Sequence, residues 1–374
     1  TVVAAFALSY GAMASVTHEY AEQPDGERPD IGQLLERVES DASVAVIAGF
    51  DLSGYDPVLA GAETRAAVDQ TTAIHQAQDQ LLNRLAGHNV SHVTQFDYIP
   101  YLALRVDGAA LLALQADPAV TSIVEDITFA PAMSGSLPII RGDGAHTLNY
   151  RGAGTAVAIL DTGIDKNHAD LSGKVVSEAC YSVTDPANAS FSACPNGQAS
   201  QTGNGAATPP SRLIDGYSHG THVAGIAAAV APDTKIVAIQ VFHRVYENAA
   251  KQCTTLGKRS PCLLASQSSY IKGMERALAL RTTYNIVAVN MSLGSGANPT
   301  TCDHLSQNLS VKLIVDILRA NGVITVASSG NNGYRQSMGF PACLSSIVSV
   351  GATVTFPVSD IDKVADFSNL STST

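Results

Sequence analysis

Positive charge is scarce in this sequence, where 22 lysines and arginines stand against 33 aspartates and glutamates, a formal net charge of -11. A protein that binds nucleic acid needs clustered Lys and Arg to neutralise phosphates, so the charge balance argues against a nucleic-acid partner. Charged residues of both signs make up only 15% of the chain, whereas 45% of it is hydrophobic. Over 374 residues this composition allows a large core and suggests roughly two or three domains.

Long hydrophobic runs are missing as well, and we expect no membrane span. The apolar segment at residues 1–14, TVVAAFALSYGAMA, is too short to cross a bilayer. Its small-x-small ending at Ala12 and Ala14 predicts the remnant of a secretory signal peptide, cleaved after Ala14. A buried strand or helix is the alternative for this segment. The polar tract that follows, residues 15–42, is predicted to be a linker.

A metal-binding CxxC pair is also missing among the six cysteines. Their even number suits disulfides in an exported protein, with buried free thiols as the alternative. Six cysteines allow many connectivities, which sequence alone cannot distinguish. The preferred set closes two local loops and leaves a third pair: Cys180 with Cys194, Cys253 with Cys262, and Cys302 with Cys343.

Residues 43–130 have the pattern of a small separate α+β domain. Hydrophobic periodicity predicts strands and helices in the order β-α-β-β-α-β, the ferredoxin-like unit. The predicted strands cover residues 43–50, 90–96, 101–106 and 120–125, and the predicted helices cover residues 63–85 and 109–115. A linker rich in Pro, Gly and Ser, residues 131–149, joins this domain to the remainder of the chain.

Over residues 150–374, apolar runs alternate with helical patterns. The first run, AVAILDTGID at residues 156–165, contains Asp161 where its apolar part ends. Such a run is typical of a buried parallel strand, whose carboxyl end is where open α/β sheets place their sites. Further strands are predicted at residues 235–242, 286–294 and 323–328, and helices at residues 266–284 and 305–320. The alternation predicts an α/β fold with a doubly wound, mostly parallel sheet.

A polar turn runs into a small-residue helix at residues 215–230, DGYSHGTHVAGIAAAV. A helix with so little side-chain bulk can lie close against a sheet and hold His219, in its first turn, rigidly. Rigid placement is what a general base requires. Taken alone, the pattern would also suit a buried alanine-rich helix with an incidental histidine.

The motifs DTGID, HGTHVAG, VNMSLG and SSGNNG together resemble the subtilisin-like serine proteases, the subtilases. The resemblance covers most of residues 152–368, and HGTHVAG is its most specific element. It implies that Asp161 is the aspartate of a catalytic triad, His219 the general base and Asn331 the donor of an oxyanion hole. The domain in front resembles the inhibitory propeptide of the family, which acts first as a folding chaperone and then as a tight inhibitor.

The nucleophile of the family lies in a Gly-Thr-Ser-Met element, and the sequence ends at Thr374 without one. Ser371 and Ser373 follow the DFSN segment too closely and lack the flanking glycine. We therefore expect a fragment of a self-inhibited serine endopeptidase precursor that is cut before its serine and is inactive. The alternative is a non-catalytic pseudoprotease that binds peptides.

Two segments match the walls of the substrate-binding cleft in the family: Ser292, Leu293 and Gly294, and Ser328, Ser329 and Gly330. The backbone of the first segment would pair with substrate as an extra strand. Because both walls are small and uncharged, we expect a preference for apolar or aromatic side chains before the cut bond.

The resemblance also implies how the two domains meet. Glu125 and Asp126 end the last predicted strand of the first domain, and acids at this point face the N-termini of helices in the protease domain. Exposed amide hydrogens and a partial positive charge make a helix N-terminus a suitable partner for a carboxylate. We expect residues 266–284 to supply one receiving helix, and the linker at residues 131–149 to contain the processing site.

No cofactor is expected for the chemistry, although a structural calcium ion is considered at Asp170, which matches a family position that often ligates calcium. His219 and His222 lack the partner Glu of a metalloprotease motif, so zinc is not expected. A single DTG argues against an aspartic protease, which needs two such acids.

The expected partners are protein or peptide substrates and the propeptide itself. We expect a monomer that is secreted or extracellular, with the periplasm as an alternative.

Overall fold

The computed structural model describes residues 29–60, 64–126, 128–131, 142–247, 252–256, 258–354 and 363–371. For residues 58, 128–131 and 143 only the backbone is described. The signal-peptide remnant predicted at residues 1–14 and most of the predicted linker at residues 131–149 lie outside these ranges.

The N-terminal part folds around four antiparallel strands in the order β2-β3-β1-β4. Two helices are capped by side chains: Thr64 accepts a hydrogen bond from Ala67 N, and Asp107 accepts one from Ala110 N. The elements are α1 (Gly32–Asp41), β1 (Val44–Phe50), α2 (Arg65–Arg84), β2 (Val90–Gln95), β3 (Tyr101–Val106), α3 (Gly108–Ala116) and β4 (Val120–Glu125). From β1 to β4 the order is β-α-β-β-α-β, as the periodicity predicted.

Helix α1 lies in the tract that was predicted to be a linker, and the prediction was wrong at this point. Ile31 and Leu34 are buried in the core of the N-terminal part, and Leu35 and Val38 pack against that core. Their spacing is that of one helix face. The linker was predicted from the polar composition of residues 15–42, without regard to the helical spacing of these apolar residues.

The remaining strands are, in chain order, β5 (Thr128–Pro131), β6 (Ala156–Asp161), β7 (Val175–Tyr181), β8 (Ser190–Ser192), β9 (Ser200–Thr202), β10 (Lys235–Gln240), β11 (Phe242–Val245), β12 (Cys262–Ser266), β13 (Ile286–Met291), β14 (Leu293–Asn298), β15 (Ile324–Ser328), β16 (Met338–Phe340) and β17 (Ile347–Val350). The remaining helices are α4 (Gly142–Thr147), α5 (His219–Val230), α6 (Gln252–Thr255), α7 (Gln267–Tyr284) and α8 (Leu309–Ala320). Helix α4 lies within the predicted linker. Within the described ranges, no helix has the length and apolar character that a bilayer span would need.

The main sheet has the order β17-β15-β13-β6-β10-β7-β9 and is parallel except where β9 pairs with β7. Alternate residues of β6 face opposite layers. Ala158 and Leu160 share a core with residues of α7 and α8, whereas Val157 and Ile159 share one with α5. Helices therefore cover both faces, and the predicted doubly wound α/β fold is confirmed.

A second sheet crosses the carboxyl edge of the first, in the order β16-β14-β5-β12-β11-β8. The sequence predicted single strands at residues 235–242 and 286–294, but both runs are divided between the two sheets. The second run changes sheet at Ser292, between β13 and β14. Met291 and Leu293, on either side of Ser292, are apolar and buried, and so is Val241 between β10 and β11. Hydrophobicity alone therefore does not reveal the change.

Three disulfides crosslink segments around the main sheet. They join Cys180 to Cys194, Cys253 to Cys262 and Cys302 to Cys343. These are the same pairs that the sequence analysis preferred. The second bridge closes the connection between β11 and β12, so it holds one flank of the second sheet.

His243 in β11 is a buried histidine that the sequence analysis did not single out. Its side chain is 3% exposed, and its Nδ1 finds no hydrogen-bond partner among the described residues. Burial lowers the pKa of His243 to about 4, although the nearby Asp185 acts in the opposite direction. The folded protein therefore holds this ring neutral at a pH where the unfolded chain already binds a proton.

We expect the stability contributed by neutral His243 to be present above pH 6.5 and to be lost as the pH falls towards 4. The loss should reach about 3 kcal/mol. Urea unfolding of His243→Asn at pH 7 and pH 4.5 should reveal a weaker pH dependence than in the parent. The exposed His88, replaced in the same way, is the control and should keep the dependence of the parent. Equal pH dependence in His243→Asn and the parent would contradict the prediction.

Candidate active site

Asp161 is the last residue of β6, at the carboxyl edge of the main sheet. Strands β10 and β13 lie on either side of β6, so the carboxylate leaves the sheet from between two neighbours. The side chain is 1% exposed, and Thr162 N donates a 2.7 Å hydrogen bond to Asp161 Oδ1. Burial and this bond fix the orientation of the carboxylate.

His219 is the first residue of α5 and meets Asp161 directly. Its Nδ1 lies 2.7 Å from Asp161 Oδ1, and its side chain is 3% exposed. A carboxylate accepts a hydrogen bond from Nδ1–H, which leaves the lone pair on Nε2. The arrangement therefore selects the tautomer in which Nε2 can act as a general base.

Gly220 allows α5 to approach β6 this closely. A Cβ at Gly220 would lie 2.4 Å from Gly163 O and 3.0 Å from the Cβ of Asp161. The backbone N of Gly220 also donates to Thr162 Oγ1 at 3.0 Å. On the next residue, Thr221 Oγ1 accepts from Asp165 N at 2.9 Å. The two threonines were missed in the sequence, although both lie inside the motifs DTGID and HGTHVAG.

We expect Gly220→Ala to destabilise the fold by about 3 kcal/mol, because the added methyl group meets backbone on the adjoining loop. Gly225, in the same helix, is a matched control because a Cβ there would meet nothing within 4 Å. Gly225→Ala should be stabilising by up to about 1 kcal/mol, since alanine is the better helix former. Urea unfolding of the two variants measures the difference. Equal changes in stability would mean that close approach at Gly220 is not required.

Asn331 lies on the loop that follows β15, another strand that ends at the carboxyl edge. Its own side chain is exposed, whereas neighbouring residues of the loop are fixed. Ser329 N donates to Val350 O at 2.9 Å, and Gly330 has a φ of 111°, which favours glycine. The predicted oxyanion residue thus lies on the same edge as Asp161 and His219, on an anchored loop.

The groove predicted for substrate is occupied by the chain itself. Strand β5 pairs antiparallel with β14, with Leu293 opposite Pro131 and Gly294 opposite Ala130. On its other side β5 pairs antiparallel with β12, with Ala265 opposite Phe129. An extended peptide is therefore bound on both edges through its backbone, as in β-strand addition. The β12 wall was not identified from the sequence.

The other residues predicted to line this groove lie near the ends of β13, β14 and β15. Ser292 is buried and accepts from Asn290 Nδ2 at 3.1 Å. A Cβ at Gly294 would lie 2.7 Å from Phe340 O, so a larger residue would disturb the pairing of β14. Ser328 ends β15, and Ser329 is buried behind it. These residues are small and uncharged, and their role in substrate binding stays a prediction.

A model of the subtilase family matches residues 152–374, which is more than half of the chain. The chain belongs to the subtilase family. The resemblance inferred from the four motifs is thereby confirmed, and the matched range contains every residue of the groove except β5.

Relatives of this subtilase are distant. Over 270 residues it is 29% identical to alkaline elastase YaB of Bacillus sp. (strain YaB), covering 69% of this chain and 56% of the relative. It is 28% identical over 325 residues to an alkaline protease of Shouchella clausii, covering 86% of this chain and 72% of the relative. Fervidolysin from Fervidobacterium pennivorans is 18% identical with a TM-score of 0.49, covering 88% of this chain and 44% of that one. The chain spans 56 to 57% of the length of the first relatives.

The two acids at the end of β4 make different contacts. Asp126 accepts hydrogen bonds from Ser268 N at 3.0 Å and from Ser268 Oγ at 2.5 Å, at the N-terminus of α7. Glu125 instead pairs with Arg37 of α1, whose Nη2 lies 2.5 Å away. The expectation that both acids face helix N-termini is therefore corrected for Glu125, because the unforeseen helix α1 supplies its partner.

Helix α7 of the subtilase domain carries two largely buried charges, Lys272 and Glu275, that meet the partly exposed Asp97 of the N-terminal domain. Glu275 accepts from the backbone N of Asp97 and of Tyr98, each at 2.8 Å. Lys272 Nζ lies 2.8 Å from Asp97 Oδ2 and 2.9 Å from Glu275 Oε2. Burial raises the pKa of Glu275, with Lys272 opposing. Burial alone would lower the pKa of Lys272, but Glu275 and Asp97 raise it above its ordinary value.

A further ion pair crosses between the domains at β3. Arg105 contacts Asp185 of the subtilase domain, and both side chains are largely buried. Arg105 Nη1 also donates to Ser43 O at 3.2 Å, so the guanidinium is anchored on its own domain. The sequence analysis did not identify this pair or the cluster on α7, because partners distant in the chain leave no spacing pattern.

Asp170 does not fit the calcium site considered for it. Its side chain is 79% exposed, and its Oδ2 lies 3.6 Å from His168 Nδ1. Calcium takes six to eight oxygen ligands. Within the described ranges, no group of three or more His, Cys, Asp or Glu side chains could hold a metal ion.

Ser371 is unlike a triad nucleophile in its surroundings. Ser371 Oγ donates to Pro299 O at 3.4 Å, on the loop that follows β14. Ser373 lies outside the described residues. Asp161 and His219 are thus brought together, and Ser371 has its contact elsewhere.

Proposed function

We propose that this protein is the precursor of a secreted serine endopeptidase that hydrolyses peptide bonds through an Asp-His-Ser triad and an acyl-enzyme. The carrying observation is the buried contact between His219 Nδ1 and Asp161 Oδ1, beside a groove that already holds an extended strand. A triad also requires a nucleophilic serine, which the test below is designed to identify.

In this mechanism His219 Nε2 takes the proton of the serine hydroxyl and later passes it to the leaving amine. Asp161 keeps the ring in the required tautomer and stabilises the imidazolium that forms. Asn331 donates an amide hydrogen to the oxyanion of the tetrahedral intermediate. Such a donor typically contributes about 3 to 4 kcal/mol of transition-state stabilisation, because it is neutral and already oriented.

The N-terminal domain, residues 29–126 in the described ranges, would be an inhibitory propeptide. The proposal is supported by β5, which follows this domain directly and fills the groove between β12 and β14. It is also supported by the contacts of Asp126, Glu275 and Arg105, which join the two domains through charged and hydrogen-bonded groups. A substrate would have to displace β5 before it could bind.

Substrates would be proteins or peptides with an apolar or aromatic side chain before the cut bond. Small uncharged residues at Ser292, Gly294, Ser328 and Gly330 support this preference, because they leave room and offer no counter-ion. The protein would act as a monomer outside the cell. The three disulfides support the extracellular location, because disulfides persist in oxidising compartments.

The test applies a fluorophosphonate probe and a peptide library to the protein extended beyond Thr374. We expect labelling of one serine together with hydrolysis, and the loss of hydrolysis in His219→Ala. A second function, peptide binding without chemistry, is favoured by one observation, the strand already seated in the groove. Binding of peptides with neither labelling nor hydrolysis would establish that second function and refute the first.

A further inference from the structure

The DFSN segment, residues 366–369, ends in an asparagine that lies against the loop carrying Asn331. This residue, Asn369, is 1% exposed. Asn369 Oδ1 accepts from Asn332 N at 2.9 Å and from Tyr334 N at 3.1 Å. Asn369 Nδ2 donates to Ser329 O at 3.0 Å and lies 3.3 Å from Asn332 Oδ1. One side chain thus bonds the loop on both sides of Asn331.

The backbone of Asn369 continues the same contact. Asn369 N donates to Gly330 O at 3.0 Å, and Ser329 Oγ donates to Asn369 O at 2.9 Å. The side chain is also close to Gly330, where a Cβ would lie 2.3 Å from Asn369 Nδ2. Every residue from 329 to 332 except Asn331 is therefore held by Asn369.

These contacts matter because Asn331 is exposed and has no core packing to orient it. A donor for the developing oxyanion must be in place before the reaction, since reorientation during the reaction would cost part of its benefit. Its orientation must then come from the residues that flank it. Only an amide offers two accepted bonds and two donated bonds at this point, because a carboxylate cannot donate and a hydroxyl is too short.

We propose that Asn369 is a positioning residue that holds Asn331 in the orientation required of an oxyanion donor. The role rests on the proposed function, and it acts through Asn331 without contact to substrate. Asn369→Asp keeps the oxygen that accepts from Asn332 N and Tyr334 N, and it loses the bonds that Nδ2 donates. It therefore separates the accepted bonds from the donated ones.

The first test is a double-mutant cycle in the protein extended beyond Thr374, with kcat and KM measured for a peptide substrate. We expect Asn369→Ala to lower kcat by roughly 10-fold to 100-fold, less than the 10²-fold to 10³-fold typical of deleting an oxyanion donor, with KM nearly unchanged. In an Asn331→Ala background the same substitution should cost almost nothing. An undiminished loss in that background would assign Asn369 a general structural role and overturn the proposal.

Asn308 offers the matched control, because it is also a buried asparagine whose Nδ2 donates to a backbone oxygen, that of Cys302. Asn308→Ala should lower stability while kcat and KM stay at the parent values. If Asn369→Ala fails to fold, Asn369→Asp takes its place in the cycle, and the same outcome decides.

Amide hydrogen exchange gives a readout that does not depend on activity. In Asn369→Ala the amides of Asn332 and Tyr334 should exchange faster, while amides in the strands of the main sheet keep their protection. Unchanged protection at both residues would overturn the proposal. An inactive parent would refute the proposed function separately, and the exchange experiment would still decide whether Asn369 holds the loop.

Discussion

Asp161→Asn is expected to lower kcat by about 10⁴-fold in the protein extended beyond Thr374. The same substitution has an effect of this size in another Ser-His-Asp triad. The shape of the side chain is kept, and so is an oxygen for Thr162 N. What is lost is the negative charge beside His219, whose ring becomes an imidazolium during the reaction. In a buried site that cation has no solvent to replace the lost partner.

The measurement is kcat on a peptide substrate, with urea unfolding to verify that the variant is folded. Asp165, four residues along the same motif, is the matched control: its Oδ1 accepts from Asn167 N at 3.1 Å within its own turn. Asp165→Asn should stay within about twofold of the parent, because its charge faces no reacting group. More than a few per cent of parent activity in Asp161→Asn would remove Asp161 from the triad.

Glu275→Ala is expected to weaken the docking of the N-terminal domain at least about 100-fold. The change removes the acceptor of two backbone N–H groups, those of Asp97 and Tyr98. It also takes one of two carboxylates from Lys272, which stays buried beside Asp97. Leaving a buried donor or charge without its partner costs more than the contact contributed, because the group has given up its hydration.

Docking is measured as the inhibition constant of an added segment, residues 29–131, against the mature enzyme. Glu247 is the matched control in the subtilase domain, an exposed glutamate whose Oε2 accepts from Thr254 Oγ1 at 2.9 Å. Glu247→Ala should leave the constant within about twofold. An unchanged constant in Glu275→Ala would mean that the cluster on α7 contributes nothing to inhibition.

The sequence predicted the parts of the structure that depend on local patterns. We predicted the apolar run that ends at Asp161 and the small-residue helix that begins at His219. Buried strands are rich in apolar residues and closely packed helices in small ones, so both can be recognised from composition. The break at Ser292 was not foreseen, because the residues on either side of it, Met291 and Leu293, are both apolar and buried. Helix α1 was missed because its apolar face is short and lies in a polar tract.

Contacts between distant residues set the other limit. Asn369 and Asn331 are 38 positions apart, and nothing in DFSN indicates which loop it holds. Glu125 and Asp126 look equivalent in the sequence, yet one pairs with Arg37 and the other with the N-terminus of α7. Which of two adjacent acids reaches the N-terminus of a helix depends on the direction in which the strand ends, and that direction is fixed by the assembled domains.

In the proposed precursor, the seating of β5 between β12 and β14 would make inhibition a competition between a tethered strand and a free one. While the chain is continuous, β5 is tethered close to the groove. Its effective concentration there is about millimolar if the linker is short. A peptide in solution must exceed that value or bind much more tightly to take its place. Cutting the chain after β5 leaves every contact of the domain interface intact but ends the tether, so dilution alone then favours release. The timing of activation would thus be set by how fast the cut N-terminal domain dissociates, and charge pairs such as Arg105 with Asp185 would determine that rate.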